Sequence, residues 1–453
     1  KFPESSDKSS SFKPEPINCT YQPKNDSEKG ETYLFQGSSS DTWKVTLSPS
    51  LQVQPFQTLL YTVRFKLKEF DYSGHLFIAI LAKDCQKNVL SELFAPSLPD
   101  FTNKDWQSVE KRFVAPSHCT SLQLHVWAQG KHMIEIEGAE IRLDNDEVLK
   151  DPQENITTLE NPFLDVHLNT SDLSFMVRDK RCDKTWKTFG ENQHLKITKV
   201  TRVSERRVDC EGVYLDDAAP IALILELAEN EPQLNVTTKM DPKTTIALWA
   251  GAFSTTPAFF APEEGHELVV PLGEGFLYPT DDPEIPAHLI QLADGSGLTM
   301  PWFGVVDNKS SAAAMCFTRD EDDALARLYF RIQGDKEAGT VVLDWLPQKN
   351  MWGYDRMVSY WFADNGGYVA LCKRYRQEAL ETKKLVTFAE KRKTFPSVDR
   401  LLGAPNCWFH FLWHIPDHEK RLDHLRWLHE HGVDRMLFSV ADALGSTDEI
   451  VSW

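Results

Sequence analysis

Between residues 30 and 150 apolar and polar positions alternate in short runs. Leu59 to Leu67 (LLYTVRFKL), His75 to Leu81 (HLFIAIL), Trp106 to Val114, Leu122 to Trp127 (LQLHVW) and Met133 to Ile141 (MIEIEGAEI) each fit a strand with one buried face. Clusters of Gly, Pro, Asn, Asp and Ser separate them. This pattern predicts a jelly-roll sandwich over residues 30–147. The polar stretch 145–158, with its proline, reads as a linker. A longer β region follows and predicts a large two-sheet sandwich over residues 158–365. Its runs include IALILEL, LTMPWFGVVD, SAAAMCFT and TVVLDWL, about ten strands with no helical period.

The period then changes. Residues 366–383 place Val369, Cys372, Tyr375 and Ala379 at helical spacing. Leu385 to Phe388 reads as a short strand, and 366–402 as a helical linker. From Cys407 to Trp413 runs an apolar, aromatic segment of the length of a buried strand. Asp417 is placed to cap a helix, Leu422, Leu425 and Leu428 form its stripe, and Gly432 stands where a helix-ending glycine belongs. Val433 to Val440 is a second strand. Strand, helix and strand make a βαβ unit. Such a unit needs neighbours on both edges, and a (β/α)8 barrel takes about 250 residues. Residues 403–453 hold 51. The expectation is therefore the first part of a barrel, in a chain that is the front of a longer protein.

Composition narrows the class. The chain has 453 residues, and its net charge of −18 includes no basic run, which argues against nucleic acid and anionic membranes as partners. No apolar stretch is long enough to span a bilayer. The eight cysteines show no CxxC pattern. The chain starts at Lys1 with a Ser/Pro/Lys-rich stretch, so residues 1–29 are expected to be a disordered leader of an exported protein, secreted, extracellular or periplasmic.

Two stretches carry a family resemblance. Asp105-Trp106-Gln107, Phe113-Val114-Ala115-Pro116, LQLHVWAQG and IEIEGAEIRL resemble the sugar-binding jelly-roll modules of polysaccharide-degrading enzymes. The order LENPFLDVHLNTSDLSFMVRDKR, GEGFLYPTDD, LTMPWFGVVD is similar to the galactose-mutarotase-like super-sandwich. That domain precedes the catalytic barrel in several glycoside hydrolase families, among them the α-glucosidase type and the endo-α-N-acetylgalactosaminidases. The resemblance implies a glycoside hydrolase acting on glycans or polysaccharides. The alternative is a non-catalytic carbohydrate-binding or scaffold protein. The resemblance also implies a structural Ca2+, for which Glu31, Asp41 and Glu137 are the first domain's candidate ligands. No organic cofactor is expected.

Candidate sugar contacts come from position. Barrel active sites lie at the C-terminal strand ends, which singles out Trp408, His410 and Asp442. Alternation alone leaves open which of Trp408, Phe409 and His410 point inward. Tyr278, in the Gly-rich loop Pro271 to Pro279, and Trp352, in DWLPQKNMWGYD, belong to aromatic loops placed to reach a barrel mouth or to serve as ordinary connections. A glycosidase needs two flanking carboxyls. In the resembled barrels these come from middle strands, so they are expected beyond Trp453 and no pair is assigned. The histidines His418, His424, His429 and His431 lack the i, i+4 spacing of a helical zinc pair.

Overall fold

The computed structural model describes residues 14–440 except 27–29, 38–41, 72–73, 153–155, 172, 189–193, 245–252, 255–262, 272–274, 281–287, 292–299, 319–323, 334–335, 347, 349–350, 405, 410–417 and 436. The fold is mainly β. Its first part is two antiparallel sheets face to face. One runs Glu15–Ile17, Thr42–Thr46, Ser121–Gln129, His75–Lys83, Val89–Ser97, with Leu51–Gln52 beside Ser121–Gln129. The other runs Cys19–Asp26, Gly30–Gly37, Met133–Val148, Gln57–Glu69, Trp106–Val114. Alternation decides the core. On Gln57–Glu69, Leu59, Tyr61, Val63, Phe65 and Leu67 all point inward and are buried. Trp43 fits only because Gly37 has no side chain: a Cβ there would collide with the indole, whose Nε1–H donates to the Gly130 carbonyl at 3.1 Å.

One expectation is corrected here. The leader assignment of residues 1–29 fails for Glu15–Ile17 and Cys19–Asp26, which are edge strands paired with Thr42–Thr46 and Gly30–Gly37. An edge strand needs only backbone hydrogen bonds on one side, so a polar sequence such as CTYQPKND can form one.

The second β part has a nine-stranded antiparallel sheet in the order Leu195–Ser204, Arg207–Tyr214, Ala219–Leu227, Gln233–Lys239, Arg356–Ala363, Ala313–Thr318, Trp302–Asp307, His266–Val270, Phe276–Pro279. Two four-stranded sheets accompany it, Ile156–Glu160 through Lys184–Lys187, and Phe253–Ser254, Lys336–Trp345, Ala324–Gln333, His288–Gln291. Ile221, Leu223, Leu225, Leu234, Phe303 and Trp186 lie in its core.

The two sandwiches are interlocked. The hairpin of Arg207–Tyr214 and Ala219–Leu227 turns through residues 215–218, and Leu215, 1% exposed, lies in the core of the jelly roll. Its carbonyl accepts from Val114 N–H at 2.8 Å. Beside it Lys111 Nζ meets Asp217 at 2.8 Å, both side chains largely buried. Burial pushes the Asp217 carboxyl up, and Lys111 opposes that. Lys196, 1% exposed, pairs with Asp151 and stands 4.1 Å over the Phe56 ring.

The helix Gly367–Glu381 follows. Leu371 is fully buried and packs where Gly304 leaves room, since a Cβ on Gly304 would meet its Cδ1. The expected apolar face is corrected: Val369 and Cys372 are exposed, and Leu371, Arg374, Glu378 and Ala379 are buried. Arg374 and Glu378, 3.2 Å apart one turn along, partner each other's charge, which lets a formally polar stripe go inside.

Residues 373–453 form a separate compact unit. The expected strand Leu385 to Phe388 is instead the approach to a helix, Phe388–Thr394. Thr387 and Glu390 close a capping box: Glu390 N–H donates to Thr387 Oγ1 at 3.2 Å, and Thr387 N–H to Glu390 Oε2 at 2.9 Å. Beyond a 3-10 turn, Asn406–Phe409 and Leu437–Val440 pair in parallel, Trp408 opposite Ser439, with the helix His418–Glu430 between them in sequence. Gly432, at φ +87°, ends that helix, and Val433 N–H donates back to Leu428 O at 3.0 Å. Leu425 and Leu428 are half-buried; the Leu422 side chain lies outside the described residues.

If the hairpin tip completes the jelly-roll core, Leu215→Ala should cost about 2–5 kcal/mol. Calorimetry would read this as a lower melting temperature for the transition reported by jelly-roll tryptophans. An unchanged transition would show that the jelly roll folds without the tip.

Candidate functional site

The described structure gathers polar chemistry at one rim of the large sandwich. Phe276–Pro279 is the edge strand of the nine-stranded sheet, Leu268 standing opposite Tyr278 and Val270 opposite Phe276. Period-two alternation puts Phe276, Tyr278 and Thr280 on one side. The Phe276 and Tyr278 rings are 5.6 Å apart and 17° from parallel. Phe276 is 47% exposed, Tyr278 is half-buried against the core, and Thr280 is buried, its hydroxyl donating to the Glu263 carbonyl at 3.1 Å. The row thus runs from an exposed ring to a buried hydroxyl.

At its buried end four charged or titratable side chains converge. Lys184 Nζ lies 3.0 Å from His266 Nε2, 3.0 Å from Asp307 and 3.4 Å from Glu263. It also stands 5.2 Å over the Trp186 ring. His266 and Asp307 are register partners on neighbouring strands, and Lys184 starts the last strand of the four-stranded sheet. Burial, then Lys184, pushes the His266 imidazole below its ordinary value, so it is neutral at pH 7. Its Nε2 accepts from Lys184, which places the proton on Nδ1. That N–H is buried and has no hydrogen-bond partner among the described residues. Burial opposes ionisation of Asp307, but Lys184, the Lys309 N–H at 2.9 Å and the Ser310 hydroxyl at 2.8 Å outweigh it and bring the carboxyl down to about 2. The arrangement offers an aromatic surface beside mixed donors and acceptors, the combination that suits a polyhydroxylated ligand.

The sequence candidates fare differently. Tyr278 belongs to this rim. Trp352 does not present a face to any ligand: it is fully buried, with the Arg356 guanidinium 4.4 Å over its ring, and Tyr354 and Trp345 complete the box around that cation. Arg356 Nη1 donates to the Trp352 and Tyr354 carbonyls at 2.7 and 3.0 Å. The aromatic loop is therefore a core feature, because a buried guanidinium needs π faces and carbonyls around it. His410, Asp442 and Asp41 lie outside the described residues. Trp408 and Glu31 sit on strands, with side chains outside the described residues. Glu137 is paired with Arg64. Among the described residues no three His, Cys, Asp or Glu side chains are grouped to hold a metal. Sequence reading missed Lys184, Glu263, His266 and Asp307, which no local motif marks.

Because Asp307 titrates lower folded than unfolded, its contribution to stability is full above the ordinary carboxylate value and is lost as pH falls through about 2. Lys184→Met should raise the Asp307 midpoint by about 1 unit or more, measured by NMR titration of its side-chain carboxyl carbon. An unmoved midpoint would remove Lys184 from the account.

No family model and no curated protein matches the sequence. Solved structures do. The quadruple mutant of α-N-acetylgalactosaminidase NagBb from Bifidobacterium bifidum aligns with a TM-score of 0.50 at 15% identity, over 63% of this chain and 52% of that one. A GalNAc complex of NagBb gives 0.49 at 17%, over 62% and 51%. The chain spans about half the length of these structures, and at such identity the likeness is one of fold. Among the described residues no helix is long and apolar enough to cross a membrane. The chain thus has a mainly-β architecture of several antiparallel sheets, similar in fold to the α-N-acetylgalactosaminidase structure over about half of that protein's length.

Proposed function

We propose that this protein is an exported glycoside hydrolase whose two sandwiches carry the start of a (β/α)8 catalytic barrel, and that its substrates are glycans with α-linked N-acetylgalactosamine. The observation that carries the reading is the order of parts: two antiparallel sandwiches with a fold like that of a glycosidase, then a parallel strand–helix–strand unit. In a barrel built on that unit, Trp408, His410 and Asp442 stand at or just beyond C-terminal strand ends, where substrate is bound. The rim at Phe276 and Tyr278 supplies a second sugar contact. A structural Ca2+ in the first sandwich remains part of the proposal, with Glu31 and Asp41 as ligands; Glu137 would have to leave Arg64 to join them.

The exposed rim also favours a second reading, a carbohydrate-binding protein without catalysis. Assays of the natural full-length protein on p-nitrophenyl glycosides separate the two. Release of p-nitrophenol from the α-N-acetylgalactosaminide, lost on Asp442→Asn, is the expected result. Uniform inactivity on α and β glycosides, with glycan binding retained and weakened about tenfold or more by Phe276→Ala, would replace the enzyme with the binder.

A further inference from the structure

The hairpin tip at residues 215–218 carries more charge than an anchor needs. Its apolar part seats it: Leu215 lies in the jelly-roll core, and Val213 and Ala218 pack against that core. Its backbone is tied twice. Leu215 N–H donates to the His194 carbonyl at 2.9 Å, and Val114 N–H donates to the Leu215 carbonyl at 2.8 Å. Ala218 closes the turn at φ +49°. Between Leu215 and Ala218 stand two adjacent carboxyls, Asp216 and Asp217, with side chains only 13% and 15% exposed.

One lysine and one histidine answer them among the described residues. Lys111 is the register partner of Tyr61 and so shares its inward face. Its ammonium donates to the Pro96 carbonyl at 2.8 Å and meets Asp217 at 2.8 Å. On the other side, His194 Nδ1 stands 3.4 Å from Asp216. The buried Tyr61 hydroxyl donates to the Ala95 carbonyl at 3.0 Å and bonds the Ser97 hydroxyl at 2.6 Å. Burial pushes the Tyr61 phenol up, its bond to Ser97 opposes that, and the two carboxylates add to it. Asp217 thus faces Lys111 from Trp106–Val114, Tyr61 from Gln57–Glu69 and Asp216 on the tip itself.

Burial pushes the Asp217 carboxyl up, Lys111 opposes that, and Asp216 adds to it. One ammonium therefore does not cancel the cost of burying this carboxylate. A carboxyl raised by folding works against the seated tip at neutral pH, where it is ionised in the released state. That opposition fades as pH falls toward the ordinary carboxylate range, because a protonated carboxyl needs no counter-ion. Lys111 keeps the Pro96 carbonyl in either state. We infer that the tip is a proton-sensitive latch between the two sandwiches, held fast in mild acid and opening more often as Asp217 loses its proton. A neutral side chain at this position would hold the sandwiches together at every pH; the buried aspartate makes the hold conditional.

The test is hydrogen exchange in the intact chain, with protection corrected for the intrinsic rate at each pH. Protection of the Val114 and Leu215 amides should rise severalfold from about pH 7.5 to about pH 5. The Leu47 amide, bonded to the Leu124 carbonyl at 2.7 Å inside the jelly roll, should not follow them. Asp217→Asn, which imitates the protonated carboxyl, should show at both pH values the protection that wild type reaches in acid. If Asp217→Asn does not fold, wild type decides: NMR titration of the Asp217 carboxyl carbon must give the same midpoint as the rise in Val114 protection. Protection independent of pH, a rise shared equally by Leu47, a pH dependence undiminished in Asp217→Asn, or two different midpoints overturns the inference.

Discussion

The insertion of one hairpin tip from the large sandwich into the jelly roll is the contact on which the β part of this protein depends. Leu215 is a residue of the second domain by sequence and of the first by burial. A fully buried leucine contributes about 1.5–3 kcal/mol. The tip also places Asp217 against Lys111 out of water. A buried pair of this kind adds little net stability by itself, but losing one partner leaves an uncompensated charge. The interlock therefore selects one relative placement of jelly roll and sandwich more than it strengthens either. Lys196 against Phe56 and Asp151 repeats the arrangement at a second point.

The same physics governs how polar groups are buried elsewhere. Arg356 enters the core because carbonyls and aromatic faces replace its water. Arg374 enters because Glu378 lies one turn along. Lys184, at the end of the four-stranded sheet, is held by three acceptors: His266 and Asp307 from the nine-stranded sheet and Glu263 from the connection before it. Of the three buried imidazoles among the described residues, His132 bonds through both ring nitrogens and the other two do not. His266 and His125 each keep one ring nitrogen without a partner among the described residues.

Much of the architecture was legible in the residues. Period-two alternation reported the strands of both sandwiches, and an apolar run, a leucine stripe and a glycine reported the parallel strand–helix–strand. The failures have definite causes. The polar edge strands Glu15–Ile17 and Cys19–Asp26 escaped notice because pairing at an edge is a backbone matter and leaves little side-chain signature. The run Leu385 to Phe388 has the apolar content of a short strand, but reciprocal capping by Thr387 and Glu390 starts a helix there.

What the sequence determined by itself was local: which segments are strands or helices, and which side chains share a face. Only the tertiary structure decided which face meets a neighbour. Trp352 reads as a residue of an aromatic loop placed to reach a sugar or to serve as an ordinary connection, yet its ring is buried in the core against the Arg356 guanidinium. Lys184, Glu263, His266 and Asp307 are scattered over more than a hundred residues and meet because the four-stranded and nine-stranded sheets end at the same rim. Alternation has a period of two and so distinguishes the faces of a strand. It carries no information about what long-range packing lays against either one.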